Sequence, residues 1–224
     1  MNKIMIKLNK LLVLALALFS SVYSFGNIEK IGQALEKRIV GKSWEAACPV
    51  QLSELRYLTI PYWGYDEQEH SGEMIVHEKV AQDVLDIFEE LFENKFPIQS
   101  MKLIDEYFQP SRTKSDVDDA SMLDNNSSAF FFRYIGKTTI VSEHGLGTAI
   151  DINPRVNPFV RGDYVCPTSS KEFCDRTRKD VKGLLTEDCR CVKAFEARGW
   201  NWAGKWKKVQ DYQHFGKIQK ESLQ

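Results

Sequence analysis

Apolar positions at Val76, Val80, Val84, Ile87, Phe88 and Leu91 recur at the spacing of one face of a helix, so residues 76–92 are predicted to be an amphipathic helix against a core. Elsewhere the pattern is shorter in range. Residues 28–40 suggest a short helix. Pro61-Tyr-Trp-Gly-Tyr reads as a turn with exposed aromatics, and Pro97 closes the region of the long helix. Met101 to Phe108 reads as a strand, and Gln109 to Asn126 as a long polar loop with four aspartates, Asp116, Asp118, Asp119 and Asp124. Loops of that length are often functional. Ala129 to Ile135 has the composition of a buried strand, and Thr138 to Val141 of another. Thr148 to Ile152 forms a short strand that stops at Asn153-Pro154, and residues 157–185 look irregular. Thr186 is placed to cap a helix running through Val192 and Phe195 to Arg198, with Gly199 placed to stop it. The end of the chain, around His214, is strand-like. Strands clustered late, with helices at the ends of that cluster, predict an α+β fold: a small antiparallel sheet flanked by helices.

The first residues change the picture of where the protein works. Lys3, Lys7 and Lys10 precede the apolar run Leu11 to Phe19, and Ser20-Ser-Val-Tyr-Ser24 follows. That is the organisation of a secretory signal peptide, and the run is short for a membrane span. Residues 1–24 are therefore read as a removable signal, and 25–224 as a single domain with its core at about 74–218. A periplasmic or secreted protein without stable membrane insertion is expected. Removal of the signal leaves 27 basic against 31 acidic residues, a net charge of −4, and no basic stripe that would suit nucleic acid. The chain is read as a monomer. Its five cysteines, Cys48, Cys166, Cys174, Cys189 and Cys191, would be free to oxidise after export. The four between 166 and 191 suggest one or two disulfides pinning that segment.

The chemistry concentrates in Ser142-Glu-His144-Gly-Leu-Gly-Thr-Ala-Ile-Asp151. On a regular strand, His144 and Asp151 would face opposite ways, being an odd number of residues apart. Gly145 and Gly147 permit a bend that lets them converge. One imidazole and one carboxylate are two of the three protein ligands of an open zinc site, and His214 supplies the missing nitrogen. Asp211, three residues before it, then falls into the role of general base for a metal-bound water.

Ser-x-His-x-x-Gly-x-Ala-x-Asp-Ile-Asn at 142–153 and Asp-x-x-His-Phe at 211–215 together resemble the M15 zinc peptidases. These include the D-alanyl-D-alanine carboxypeptidases and dipeptidases and the L-alanyl-D-glutamate endopeptidases that cut peptidoglycan stem peptides. The likeness also takes in Asp119-Ala-Ser-Met, Asn126-Ser-Ser-Ala-Phe-x-x-Arg133 and the Gly199-Trp-x-Trp-x-Gly-x-Trp206 run. It implies Zn2+ held by His144, Asp151 and His214, with Asp211 as base. It also implies Arg133 as the cation facing the substrate carbonyl and Ser142 as a substrate contact. An aspartate at 211, where many members carry glutamate, is similar to the L-alanyl-D-glutamate endopeptidase branch. The expected activity is therefore that endopeptidase. Alternatives are a D-Ala-D-Ala carboxypeptidase, or a zinc-stabilised module that binds cell wall without cutting it. The cysteine-bearing segment between 160 and 191 departs from the family pattern and leaves the cleaved bond open.

Rival assignments are set aside for physical reasons. Arg133 has a competing role as a strand arginine paired with a loop aspartate. Glu143 is discounted as base because neighbouring strand residues point apart. Trp200, Trp202 and Trp206 suit either a stacking wall or core packing. His70 and His77 are read as surface residues. The aspartate loop lacks the glycine and terminal glutamate of an EF-hand, so it is read as a solvated loop bordering the cleft.

Overall fold

The computed structural model describes residues 25–217, and the signal-peptide segment lies outside them. Within that span the fold is α+β, and the largest sheet comes early rather than late. Strand β1 (Asn27–Lys30) and helix α1 (Gln33–Ile39) occupy the stretch expected to be one helix. They lead to a long hairpin of β2 (Leu55–Gly64) and β3 (Glu69–His77), paired from Leu55↔His77 to Trp63↔Glu69. Pro61 therefore lies inside a strand and not in a turn. It sits just past the last β1 pair, Asn27↔Thr59, so its missing N–H breaks no bond to β1. On β2 the buried residues Leu58, Ile60 and Tyr62 alternate toward the core.

The predicted long helix is α2 (Glu78–Glu93), which buries Val80, Val84, Ile87, Phe88 and Leu91 against this sheet. Val76 belongs to β3. The helix follows β3 directly because the His77 ring caps it, with Nδ1 accepting from the Lys79 N–H at 3.1 Å. His77 is therefore buried, not on the surface as expected, whereas His70 is exposed and pairs with Asp66. Strand β4 (Pro97–Ile98) joins β2 in parallel.

Beyond β4 the elements are short. The strand expected at 101–108 is irregular chain with a 3-10 turn at Ile104–Tyr107. The expected polar loop holds helix α3 (Lys114–Leu123), started by a reciprocal cap between Thr113 and Asp116. Its other aspartates are partnered too. Asp118 pairs with Arg133, Asp119 lies 3.6 Å from the Cys166 sulfur, and Asp124 accepts from the Tyr107 hydroxyl.

Residues 129–132 are extended and buried as predicted, yet they form no strand. The N–H groups of Phe130, Phe131 and Phe132 bond to Ile75, His144 and Ser43 in turn, three unrelated segments. The Thr138–Val141 stretch is the returning limb of a tight turn at 135–138, closed by a Tyr134↔Val141 bridge. Strand β5 (Ala149–Asp151) is where the pattern placed it.

Residues 157–185 contain a small ladder, β6 (Phe159–Arg161) with β7 (Tyr164–Cys166). Helix α4 (Arg190–Ala197) begins later than expected, capped by the Cys189 sulfur rather than by Thr186. Gly199, at φ +76°, stops it as anticipated. Strands β8 (Asn201–Trp202), β9 (Gln210–Asp211) and β10 (His214–Gly216) complete two three-stranded sheets, ordered β5-β10-β8 and β7-β6-β9.

One apolar cluster, drawing on residues from Leu58 to Phe215, joins the two parts of the molecule. At its seam Phe195 stacks on Phe215, ring centres 4.0 Å apart, and meets Phe88 and Trp200 edge-on. The expected disulfides are not formed: all five cysteines are free. Cys191 is packed in the core, and Cys189 is engaged at the helix cap. Arg176 ties the 157–185 segment instead. It donates to the carbonyls of Val156, Phe173 and Leu185 and to Asn157 Oδ1, and it lies over the Tyr212 ring. Among the described residues, no helix is long and apolar enough to cross a membrane.

Candidate metal centre

The bend that sets His144 is a 3-10 turn, His144–Leu146, and not a strand. Ser142 Oγ accepts from the Gly145 N–H at 3.1 Å and fixes the start of the turn. Gly147 ends it at φ +69°, where a side chain would also meet the His77 backbone at 2.7 Å. The chain then runs straight into β5. Pairing of β5 with β10 puts His214 directly opposite Asp151, so sheet register alone brings two of the three groups together.

His144, Asp151 and His214 are all buried, and each offers a ligand atom within 4.8 Å of the others. His144 Nε2 stands 3.1 Å from His214 Nδ1 and 3.3 Å from Asp151 Oδ2, and His214 Nδ1 is 3.1 Å from Asp151 Oδ1. Ligands at zinc bond lengths of ~2.0–2.1 Å on a tetrahedron are separated by about 3.3 Å, so the spacing fits such an ion. The donors fit as well. His144 Nδ1 is 2.7 Å from the Ala129 carbonyl, which can only accept, so that nitrogen carries the proton and Nε2 is left as a donor to metal. Glu143 Oε2 lies 2.9 Å from His214 Nε2 and does the same for the second imidazole.

The cluster is strongly polarised by its own groups. Burial works against charge on His214, but the Asp151 and Glu143 carboxylates outweigh it and raise its pKa to about 10. Burial likewise disfavours charge on Asp151, yet the two facing imidazoles hold it far below the ordinary carboxylate range. Glu143 is lowered by its hydrogen bond from His214.

Asp211 sits on β9, opposite Phe159, with Oδ1 accepting from Gln213 Nε2 at 3.2 Å. Burial, helped by the Asp151 charge and opposed by His214, pushes it up to about 6. Arg133 Nη2 is ion-paired with Asp118 Oδ2 at 3.1 Å, and its Nε is buried without a hydrogen-bond partner. Burial raises the Asp118 pKa, against the opposing charge of Arg133. The tryptophans divide: Trp200 and Trp202 are core residues, while Trp206 is 49% exposed with its ring 6.2 Å from that of His214.

The contact that the sequence did not reveal is Glu143 on His214. The alternation of a strand, used to dismiss Glu143, does not apply in a 3-10 turn, where successive side chains step round by about a third of a turn.

Residues 135–217 match the family model described as D-alanyl-D-alanine carboxypeptidase, one of the M15 peptidases. The match spans the last part of the chain, and over those residues the chain is similar to that family. It covers all three cluster residues and Asp211, and begins just after Arg133. No curated protein and no solved structure matches the chain at a significant level.

Proposed function

We propose that this chain is an exported zinc peptidase that hydrolyses peptidoglycan stem peptides between L-Ala and D-Glu. The observation that carries the reading is the tetrahedral spacing of His144, Asp151 and His214. Three protein ligands leave a coordination position open, whereas a structural zinc is usually closed by four; this favours catalysis over a binding module. Export rests on the N-terminal sequence pattern.

Bound there, zinc would supply an activated water and positive charge for the developing oxyanion. Asp211 takes the proton of the attacking water and returns it to the leaving amine. Arg133 faces the carbonyl oxygen, where a preorganised donor is worth ~3 kcal/mol. Asp118 holds the guanidinium in place for that role, and the half-exposed Trp206 offers an apolar wall to the peptide. Ser142 acts here by shaping the turn, and its hydroxyl is the least available of the proposed substrate contacts.

The endopeptidase reading rests on Asp211, where many members of the resembling family carry glutamate. Removal of a terminal D-Ala is the second reading, favoured by the description of the matching family model. Digestion of purified muropeptides, followed by mass spectrometry with and without chelator, separates the two. Release of whole stem peptides is expected. Loss of a single alanine would replace the endopeptidase by the carboxypeptidase, and no cleavage by the zinc-loaded protein would leave a binding module.

A further inference from the structure

The two imidazoles of the cluster are held by unlike groups. His144 leans on a neutral backbone carbonyl, that of Ala129. His214 leans on a carboxylate, Glu143, which comes from the residue next to His144. The backbone of Glu143 is fixed as well, since its carbonyl accepts from the N–H groups of Leu146 and Thr148. Room for the carboxylate is provided from the other strand: at Gly216 an added Cβ would lie 2.5 Å from Glu143 Oε2. Glu143 and Gly216 thus occupy a single space between the turn and β10.

We propose that Glu143 is the positioning residue for His214, fixing the ring so that Nδ1 faces the metal, and that it makes the cluster bind zinc more tightly than three ligands alone would. This rests on the zinc reading above. A carboxylate accepting from Nε2–H selects the tautomer whose lone pair is on Nδ1, opposes rotation of the ring about its Cβ–Cγ bond, and makes the donor nitrogen more basic. Without that acceptor, the ring of His214 is free to turn Nδ1 away from Asp151. Glu143 does not need to touch substrate for any of this, so its effect acts through the metal.

Zinc affinity, measured by competition with a chromogenic chelator, tests the proposal independently of hydrolysis. The metal-free wild type must first take up one zinc per chain; failure there sinks the zinc reading itself, before any variant is made. Glu143→Ala should then bind zinc about 10- to 100-fold more weakly, while the circular dichroism of the metal-free protein still shows a folded chain. Glu143→Gln, whose side-chain oxygen still accepts but carries no charge, should recover part of the loss. Wild-type affinity in Glu143→Ala, or equal weakening in both variants, would overturn the proposal.

Discussion

Residues 27–103 and residues 126–217 are stabilised by different means. The first region has strands of ten and nine residues and a sixteen-residue helix, with apolar side chains meeting across the layers. The second has strands of two or three residues, too short to hold themselves, and is stitched together by buried amides. Asn126 accepts from the Lys102 N–H and donates to the Lys102 carbonyl. Asn153 accepts from Gln99 and donates to the Pro97 carbonyl. Asn157 accepts from the Leu185 N–H and donates to the carbonyls of Ile152 and Gly183. The His-Asp-His cluster sits in the second kind of structure, which is braced against the first through Phe195 and Phe215. A site that needs charged groups in fixed places benefits from such a frame, because each buried amide fixes several backbone groups at once.

The sharpest division should come from substitutions that separate chemistry from framework. Asp211→Ala should lower hydrolysis of stem peptides by about 10²–10⁴-fold while one zinc per chain is retained. Metal lost in parallel with activity would make Asp211 structural. At the seam, Phe195→Ala should cost about 3–5 kcal/mol in denaturant unfolding, since it opens a cavity among Phe88, Trp200 and Phe215. A loss below 1 kcal/mol would mean that the two regions do not depend on each other. Asn157→Ala should cost about 1–3 kcal/mol and loosen the site-bearing region first, visible as faster amide exchange of Leu185 than of Val84. Equal loosening of both would erase the contrast.

The smallest effect is expected in the first region, at Glu73, which takes two hydrogen bonds from Arg38 at 2.8 Å each and one from Tyr57. These hold its carboxyl below the ordinary glutamate range, chiefly through Arg38 and against burial. A lowered folded pKa means stability that is present above the unfolded value and lost as pH falls through the folded one. Glu73→Gln should therefore cost about 1 kcal/mol at neutral pH and converge with wild type in acid. A gap that persists in acid would assign the loss to packing.

This contrast also explains what the sequence disclosed. Helix α2 and strand β5 were legible because periodicity or a hard stop marked them. The meeting of His144, Asp151 and His214 was legible because their residue types and the glycines between the first two suggested it. The β2–β3 hairpin was not, since Pro61 and Gly64 mimic turn signals and only the position of β1 makes the proline harmless. Helix α3 is so polar that no apolar stripe marks it, although Thr113-x-x-Asp116 carried a capping signature that would have found it. The extended segment 129–132 and the link from Glu143 to His214 depend on contacts between distant parts of the chain, on which local patterns are silent.

Zinc content after equilibrium dialysis of metal-free wild type and His144→Ala bears most directly on the whole account. One zinc per chain in wild type and none in the variant is the predicted result. A variant that still holds one zinc, or a wild type that holds none, would contradict it.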